Sequence, residues 1–345
     1  MNSKQRCLAA IRGEPVDRVP VFPLLMYLPA DRAGISYRQY ATNGHALAES
    51  QLKVREMFPI DAITSCSDAF RIAADLGGEM VYPETRPPYL ARPLIANEQD
   101  LRRLKRPDAS QPNSRRADRT RATREMVQAV GGECLVLGWV DMPFAEACSA
   151  CGVTQFLMML VERPTLAHSI LDFLTELVIE FALMQVEAGA PMIGAGDAAA
   201  SLISAPMYRE FALPYEQRVC AAVHGSGGLV KLHICGKTTH LLNDMAQSGA
   251  DLFNVDHLVD LATARRVYEA AGKAFKGNID PVAAMDQATP EECERAALDC
   301  LRVADGAPYL LSPGCEPPAS VTDETMRAFC LAPQTYAAQS HQKGA

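Results

Sequence analysis

The run TLAHSILDFLTELVIEFALMQVE (residues 165–187) carries apolar side chains at i, i+3, i+4 and i+7, the spacing of one helix face. Shortly after it comes MIGAG (residues 192–196), an apolar run that stops at a polar residue, Asp197. The pairing of a long helix with a short buried strand recurs on both sides. Comparable runs occupy 19–25, 60–66, 134–139, 229–234, 252–255, 274–277 and 309–312, which makes eight candidate strands in all. Between most of them lie stretches with helical spacing, among them 239–248 and 289–303. The latter opens with Thr289-Pro290-Glu291-Glu292, a capping residue followed by proline at the first helical position. Strands that alternate with helices predict an α/β fold with a parallel sheet, and eight is the number that closes a (β/α)8 TIM barrel. An open doubly wound sheet is the competitor, but no G-x-G-x-x-G follows the first strand.

Residues 1–345 therefore read as one TIM-barrel domain with an N-terminal extension. The segment 97–133 departs from the pattern, with nine Arg/Lys against six Asp/Glu. It reads as surface helices and a loop inserted ahead of the third strand. Such a charge run is a solvated face, or alternatively a docking patch for an acidic partner.

Composition narrows the function classes. Of the 345 residues 48% are hydrophobic and 21% charged, enough apolar matter for a sizeable core. The net charge of −8 argues against nucleic acid as a partner. No apolar run approaches the roughly 18–20 residues of a membrane helix, so no membrane role is expected. The first residues lack the apolar stretch of a secretory signal, and a cytoplasmic location follows as the expectation. In that reducing setting the eleven cysteines are thiols or metal ligands rather than disulfides.

In a barrel the C-terminal ends of the strands face the active site. Asp68 lies just past the second candidate strand and Asp197 ends the fourth. His233 and Cys235 end the fifth, Asp256 the sixth, Asn278 and Asp280 the seventh, and Cys315 follows the eighth. Residues i and i+2 of a strand share a side, so His233 and Cys235 can converge on one point, which the last loop could reach with Cys315. One imidazole and two thiolates form a set that favours zinc and leaves one position open, as in catalytic sites. The other reading of the same residues is a core histidine with two buried thiols. Cys148-Ser149-Ala150-Cys151 opens a helix-like stretch without a second pair and reads as helix packing. His224 and His240 receive no role.

These residues resemble the uroporphyrinogen decarboxylase superfamily, and within it the cobalamin-dependent methyltransferases of the methylcobalamin:coenzyme M type. The resemblance rests on KQRCLAAIRGEPVDRVPVFP (4–23), GWVDMPFAEA (138–147), DAAASLISAPMYREFALPY (197–215), HICG (233–236), GNIDP (277–281) and SPGCEP (312–317). The decarboxylases resemble one another in an M-R-Q-A-G-R stretch that grips the porphyrin's carboxylates. Residues 25–34 here, LMYLPADRAG, lack that pair of arginines, although Ser67-Asp68 matches the superfamily's aspartate position. The methyltransferase branch is marked by H-x-C and a distant G-C, so the resemblance implies Zn²⁺ held by His233, Cys235 and Cys315. It also implies Asp256 as a fourth ligand that substrate displaces, where relatives often have glutamate.

The implied activity is methyl transfer between cobalamin on a separate corrinoid protein and a small acceptor, foremost a thiol such as coenzyme M. Two cysteinates already balance the charge of the metal, so a third thiolate stays nucleophilic. No D-x-H-x-x-G corrinoid signature occurs in the chain, so the corrinoid would come from the partner. Asp197 and Asn278 are candidates for orienting substrate and cofactor, and Asp68 for a substrate contact. Demethylation of O-, N- or S-methyl donors, or methyl transfer to tetrahydrofolate, are the alternatives, with uroporphyrinogen decarboxylation behind them.

Overall fold

Strand formation follows the apolar runs closely. The computed structural model describes residues 1–109 and 111–343. In chain order the strands are β1 (Ala62–Thr64), β2 (Met80–Val81), β3 (Tyr89–Leu90), β4 (Leu135–Asp141), β5 (Met192–Gly196), β6 (Leu229–His233), β7 (Leu252–Asn254), β8 (Ala274–Ile279) and β9 (Tyr309–Pro313). Seven of them form one parallel sheet in the order β1-β4-β5-β6-β7-β8-β9, and β2 pairs with β3 as a small antiparallel hairpin.

The expected first strand, 19–25, is the irregular stave of the barrel. Val21 makes a single parallel bridge to Leu311 of β9. Its other side meets the opposite edge of the sheet, where the Asp61 N–H donates to the Val21 carbonyl at 2.8 Å. Pro20 and Pro23 have no N–H to give, which confines the ladder to this short stretch. The fold is thus a (β/α)8 barrel closed by an extended segment between β9 and β1.

The period of two along the strands separates two apolar layers. Ala62, Leu135, Leu137, Met192, Leu252 and Leu310 pack with Phe22 inside the barrel. Their neighbours Ile63, Val136, Ile193, Val230, Phe253 and Leu311 face the helices. Burial on both faces explains why these strands read as continuous apolar runs rather than alternating ones.

Helix Pro164–Glu187 buries Ala167, Ile170, Leu171, Leu174 and Val178 on the predicted face. Near its end Gln185 accepts from the Trp139 N–H at 2.8 Å and donates to the Trp139 carbonyl at 3.0 Å, which fixes β4 where it enters the site. Helix Pro290–Val303 begins with the expected Thr289 cap, completed by Glu292 into a capping box. The stretch 239–248 is helical only over Leu242–Met245, because a turn closed by Leu241 N–H on the Thr238 carbonyl occupies its start.

The basic segment 97–133 is the larger departure. Helix Glu98–Arg103 is surface-lying, but helix Arg115–Val130 buries Arg115, Arg116 and Arg119 and packs on helix Gly44–Met57 and β4. These arginines meet Asp68 at 2.7 Å, Asp75 at 2.8 Å and Asp118 at 2.5 Å. The helix belongs to the β1-to-β4 crossover, and those three cations are spent on internal carboxylates rather than on a solvated or docking face. Counting charge along the chain could not see the acids that wait for them. No single helix among the described residues is long and apolar enough to cross a bilayer.

Candidate metal centre

β6 delivers two donors. Lys231, His233 and Cys235 alternate along the extended chain and share the inward side. His233 is 3% exposed, and its Nε2 lies 2.9 Å from Cys235 Sγ. Cys315, from the loop after β9, brings its Sγ to 3.7 Å from that of Cys235. The three donor atoms all lie within 4.8 Å of one another, and among the described residues no other group of three such side chains does so.

Backbone geometry puts Cys315 there. A Cβ on Gly314 would stand 2.3 Å from the His257 backbone nitrogen, so only glycine lets the two loops come this close. Asn254 Nδ2 donates to the Gly314 carbonyl at 3.1 Å, and Gly314 N–H to Ile279 at 2.8 Å. On the other side Gly236 turns the chain at φ 92° directly after Cys235.

The donor set fits zinc. Two zinc-bound sulfurs in a tetrahedron stand about 3.8 Å apart, close to the 3.7 Å between Cys235 and Cys315. The contact between His233 and Cys235, 2.9 Å here, would open to about 3.5 Å around the ion. His233 Nδ1 is buried without a partner. Of the two thiols, Cys315 is pushed down, first by the hydrogen bond from Cys235, and, against burial, by His233. Cys235, which gives that bond, is pushed well up.

Asp256 stands apart from these donors. Its Oδ2 accepts from Gly236 N–H at 2.9 Å and its Oδ1 from Leu258 N–H at 2.9 Å, so both oxygens are engaged in holding the loops that frame the site. It is absent from the group that converges within 4.8 Å. Asn278 is likewise taken up by backbone, donating to the Asp256 carbonyl at 3.1 Å and the Val259 carbonyl at 2.6 Å. Asp197 is fully buried and faces Glu216 rather than the barrel mouth. Burial and then Glu216 raise its pKa well above the carboxylate range. Asp68 does reach the site, where its carboxylate pairs with Arg115 at 2.7 Å. Burial would raise Asp68, but the Arg115 and Arg71 guanidiniums outweigh it and hold it at about 2.

A cavity of about 160 Å³ adjoins the three donors. Asp68, Trp139 and Asp141 stand in its wall with Leu24, Met26 and Cys66. The indole of Trp139 lies over β5, where a Cβ on Gly194 would be 2.4 Å from its ring. Through Ala69, Asp141 and Ala198 the cavity continues into a wider groove of about 530 Å³ walled by Tyr89, Leu90, Cys148 and Leu202. Cys148 and Cys151 are buried helix residues, with Cys148 against that groove. His240 Nε2 meets the Ile203 carbonyl at 3.0 Å, and His224 pairs with Asp251 at 2.9 Å.

Several site residues were not singled out from the sequence. Asp141 closes β4 and contacts Arg71, and burial raises it to about 6 against that guanidinium. The ammonium of buried Lys231 lies 4.4 Å from the Trp139 ring centre, and burial lowers it to about 8. Glu316 accepts from Met26 N–H at 2.6 Å and from Tyr27 N–H, which ties the N-terminal stave to the Cys315 loop. Lys231 is the one that strand alternation could have found, two residues before His233 on the same side.

Fold and site define a TIM-barrel protein with a sulfur-rich cluster of candidate metal donors at the C-terminal ends of its strands. The family model for uroporphyrinogen decarboxylase (URO-D) matches residues 2–336, and the chain belongs to that family. It is 30% identical over 325 residues to methylcobamide:CoM methyltransferase MtbA of Methanosarcina acetivorans, covering 90% of this chain and 91% of that one. It is 27% identical to uroporphyrinogen decarboxylase of Coxiella burnetii, covering 98% and 96%. Among solved structures, a methyltransferase from Methanosarcina mazei shares the fold with a TM-score of 0.89 at 24% identity, over 98% of this chain and 99% of that one.

Proposed function

We propose that the protein is a zinc-dependent methyltransferase that moves a methyl group between a corrinoid on a separate protein and a small thiol. The observation that carries this reading is the convergence of His233, Cys235 and Cys315 at the open end of the barrel. The 30% identity to a methylcobamide:CoM methyltransferase supports the same chemistry.

A free thiol is mostly protonated at neutral pH and weakly nucleophilic, which is the barrier to overcome. Zinc bound by these three side chains would hold the acceptor as its thiolate while leaving it electron-rich. Asp256 and Gly236 keep the Cys235 loop in place, and Gly314 does so for Cys315. Trp139, Leu24 and Met26 give the reacting sulfur an apolar wall that excludes water, while the groove beyond leaves a path for the methyl donor. A methyl-corrinoid would supply the methyl group to the acceptor sulfur held beside His233, Cys235 and Cys315, keeping the cobalt–carbon electron pair, while the thiol proton would go to solvent.

The decarboxylase relatives act on a tetrapyrrole, and two observations disfavour that substrate here. The cavity beside the cluster holds only about 160 Å³, so a macrocycle would have to lie in the wider groove, away from the three donors. Arg32, the arginine of the 25–34 stretch, is bound to Asp323 at 2.7 Å and Asp31 at 2.5 Å.

The test is metal analysis of purified wild type, Cys235→Ala and Cys315→Ala, paired with methyl transfer from methylcobalamin to a thiol. One zinc per chain in wild type and its loss with activity in both variants is the expected result. Stoichiometric zinc in both variants, or activity that survives chelation, would refute it.

A further inference from the structure

The wall of the cavity restricts what the acceptor can carry beyond its sulfur. Apart from the three metal donors and the buried Cys66 thiol, the ionisable side chains that line it are Asp68 and Asp141. No Lys or Arg side chain stands in the wall among the described residues. The guanidiniums that balance the two carboxylates lie behind them, with Arg71 fully buried and Arg115 nearly so. The adjoining groove includes a single cation, Arg92, and Glu79 holds it at 3.2 Å.

Asp141 is the carboxylate best placed to be read by a ligand. It lines both the cavity and the groove, at the point where one opens into the other. A Cβ on Gly196 would lie 3.0 Å from Asp141 Oδ1, so glycine there leaves room beside a carboxylate that the Trp139 side chain hydrogen-bonds from one side. Arg71 engages the other oxygen, Oδ2, through Nη2 alone.

On the methyl-transfer reading above, we propose that the thiol accepted by this chain carries an ammonium group at its far end, with Asp141 as the specificity-determining residue. An anionic tail drawn into the cavity would shed its hydration and find carboxylate oxygens where it needs donors. An ammonium finds charge-assisted acceptors in the same place. A sulfonate such as that of coenzyme M is therefore a poor fit to this wall, whatever the relatives use.

The experiment titrates the zinc-loaded protein calorimetrically with three two-carbon thiols, cysteamine, 2-mercaptoethanol and 2-mercaptoethanesulfonate. Each affinity is corrected for its thiolate fraction, and methyl transfer from methylcobalamin is measured in parallel. Cysteamine should bind about tenfold or more tighter than the sulfonate, with the alcohol between them. Any other order overturns the inference. Asp141→Asn should cut the ratio of cysteamine to sulfonate affinity by about tenfold while 2-mercaptoethanol binding, which reports fold and metal integrity, stays within about threefold. An unchanged ratio removes Asp141 from the role, and if that variant does not fold the wild-type order still decides. Sulfonate preference with methyl transfer intact defeats this inference alone. Absence of binding and methylation for every thiol on fully zinc-loaded protein defeats the methyl-transfer reading, and this inference with it.

Discussion

A carboxyl group that folding obliges to keep its proton leaves a mark on the pH dependence of stability. Glu216 is such a group: burial raises it from 4.5 to about 7, against hydrogen bonds from Tyr208, at 2.5 Å, and from Asp197. Between those values the folded chain binds more protons than the unfolded one. The stability Glu216 contributes is thus fully present below pH 4.5 and lost as pH rises through about 7. Glu216→Gln removes that titration. The variant should exceed wild type at pH 8 by about 2–3 kcal/mol, and the gap should close toward pH 5 in urea unfolding. Parallel pH profiles for the two proteins would count against the buried acid pair. Zinc content should not change, since neither Glu216 nor Asp197 lines the cavity. The same pair explains why Asp197, which reads as a site residue in the sequence, lies buried against Glu216 and outside the cavity wall. Asp141 pairs with Gly196 in the sheet register, so Asp197 lies one position past the inward side and turns toward Glu216. A strand end is visible in a sequence to within a residue or two, whereas the side on which a residue points needs the register itself.

Among the elements, the loops after β6 and β9 bring two of the three candidate donors, Cys235 and Cys315, into place. H-x-C was legible because Cys235 continues the alternation of β6 just past its last residue, His233. Cys315 could be proposed from its place after the last strand, and the resemblance strengthened it, but nothing in spacing tells how far a loop reaches. Gly314 is the structural reason for that reach, and it offers a test that leaves every ligand in place. In Gly314→Ala the new Cβ would meet the His257 backbone nitrogen at 2.3 Å, so the loop must shift and carry Cys315 with it. Zinc affinity should fall about 10–100-fold, the range seen when support around a ligand is lost, as measured by competition with a chromophoric chelator. Gly272→Ala makes the comparison, because its φ of 66° imposes strain without any close contact near the site. If both variants bind zinc as wild type does, Gly314 does not set the position of Cys315. The helix Arg115–Val130 shows the opposite limit of sequence reading. Its arginines carry the pattern of a wet surface, and only the positions of Asp68, Asp75 and Asp118 in space make them internal.

At the scale of the whole molecule the three candidate donors span the barrel mouth, so a metal held there would act as a clasp. His233 and Cys235 come from β6 and its loop, while Cys315 follows β9, three strands further around the sheet. The β9 edge is also where the sheet depends on a single bridge from Val21, and Glu316 beside Cys315 holds the backbone of that same N-terminal stave. A ligand that binds only the folded state stabilises it by about 4 kcal/mol at a thousandfold excess over its dissociation constant. Zinc should therefore raise the unfolding temperature of the chelated protein, and Cys315→Ala should abolish the rise by cutting the clasp at its far end. The chelated protein should nonetheless keep its far-ultraviolet dichroism, because the two apolar layers of the barrel do not include the three candidate donors. Collapse of that signal on chelation would make zinc a requirement of the fold rather than of the site. An equal rise in wild type and Cys315→Ala would place the stabilising ion elsewhere. The β9 loop should also gain the most protection from amide exchange when zinc binds, more than β5 or β6, because one stave joined by one bridge has the most to gain from being tied down.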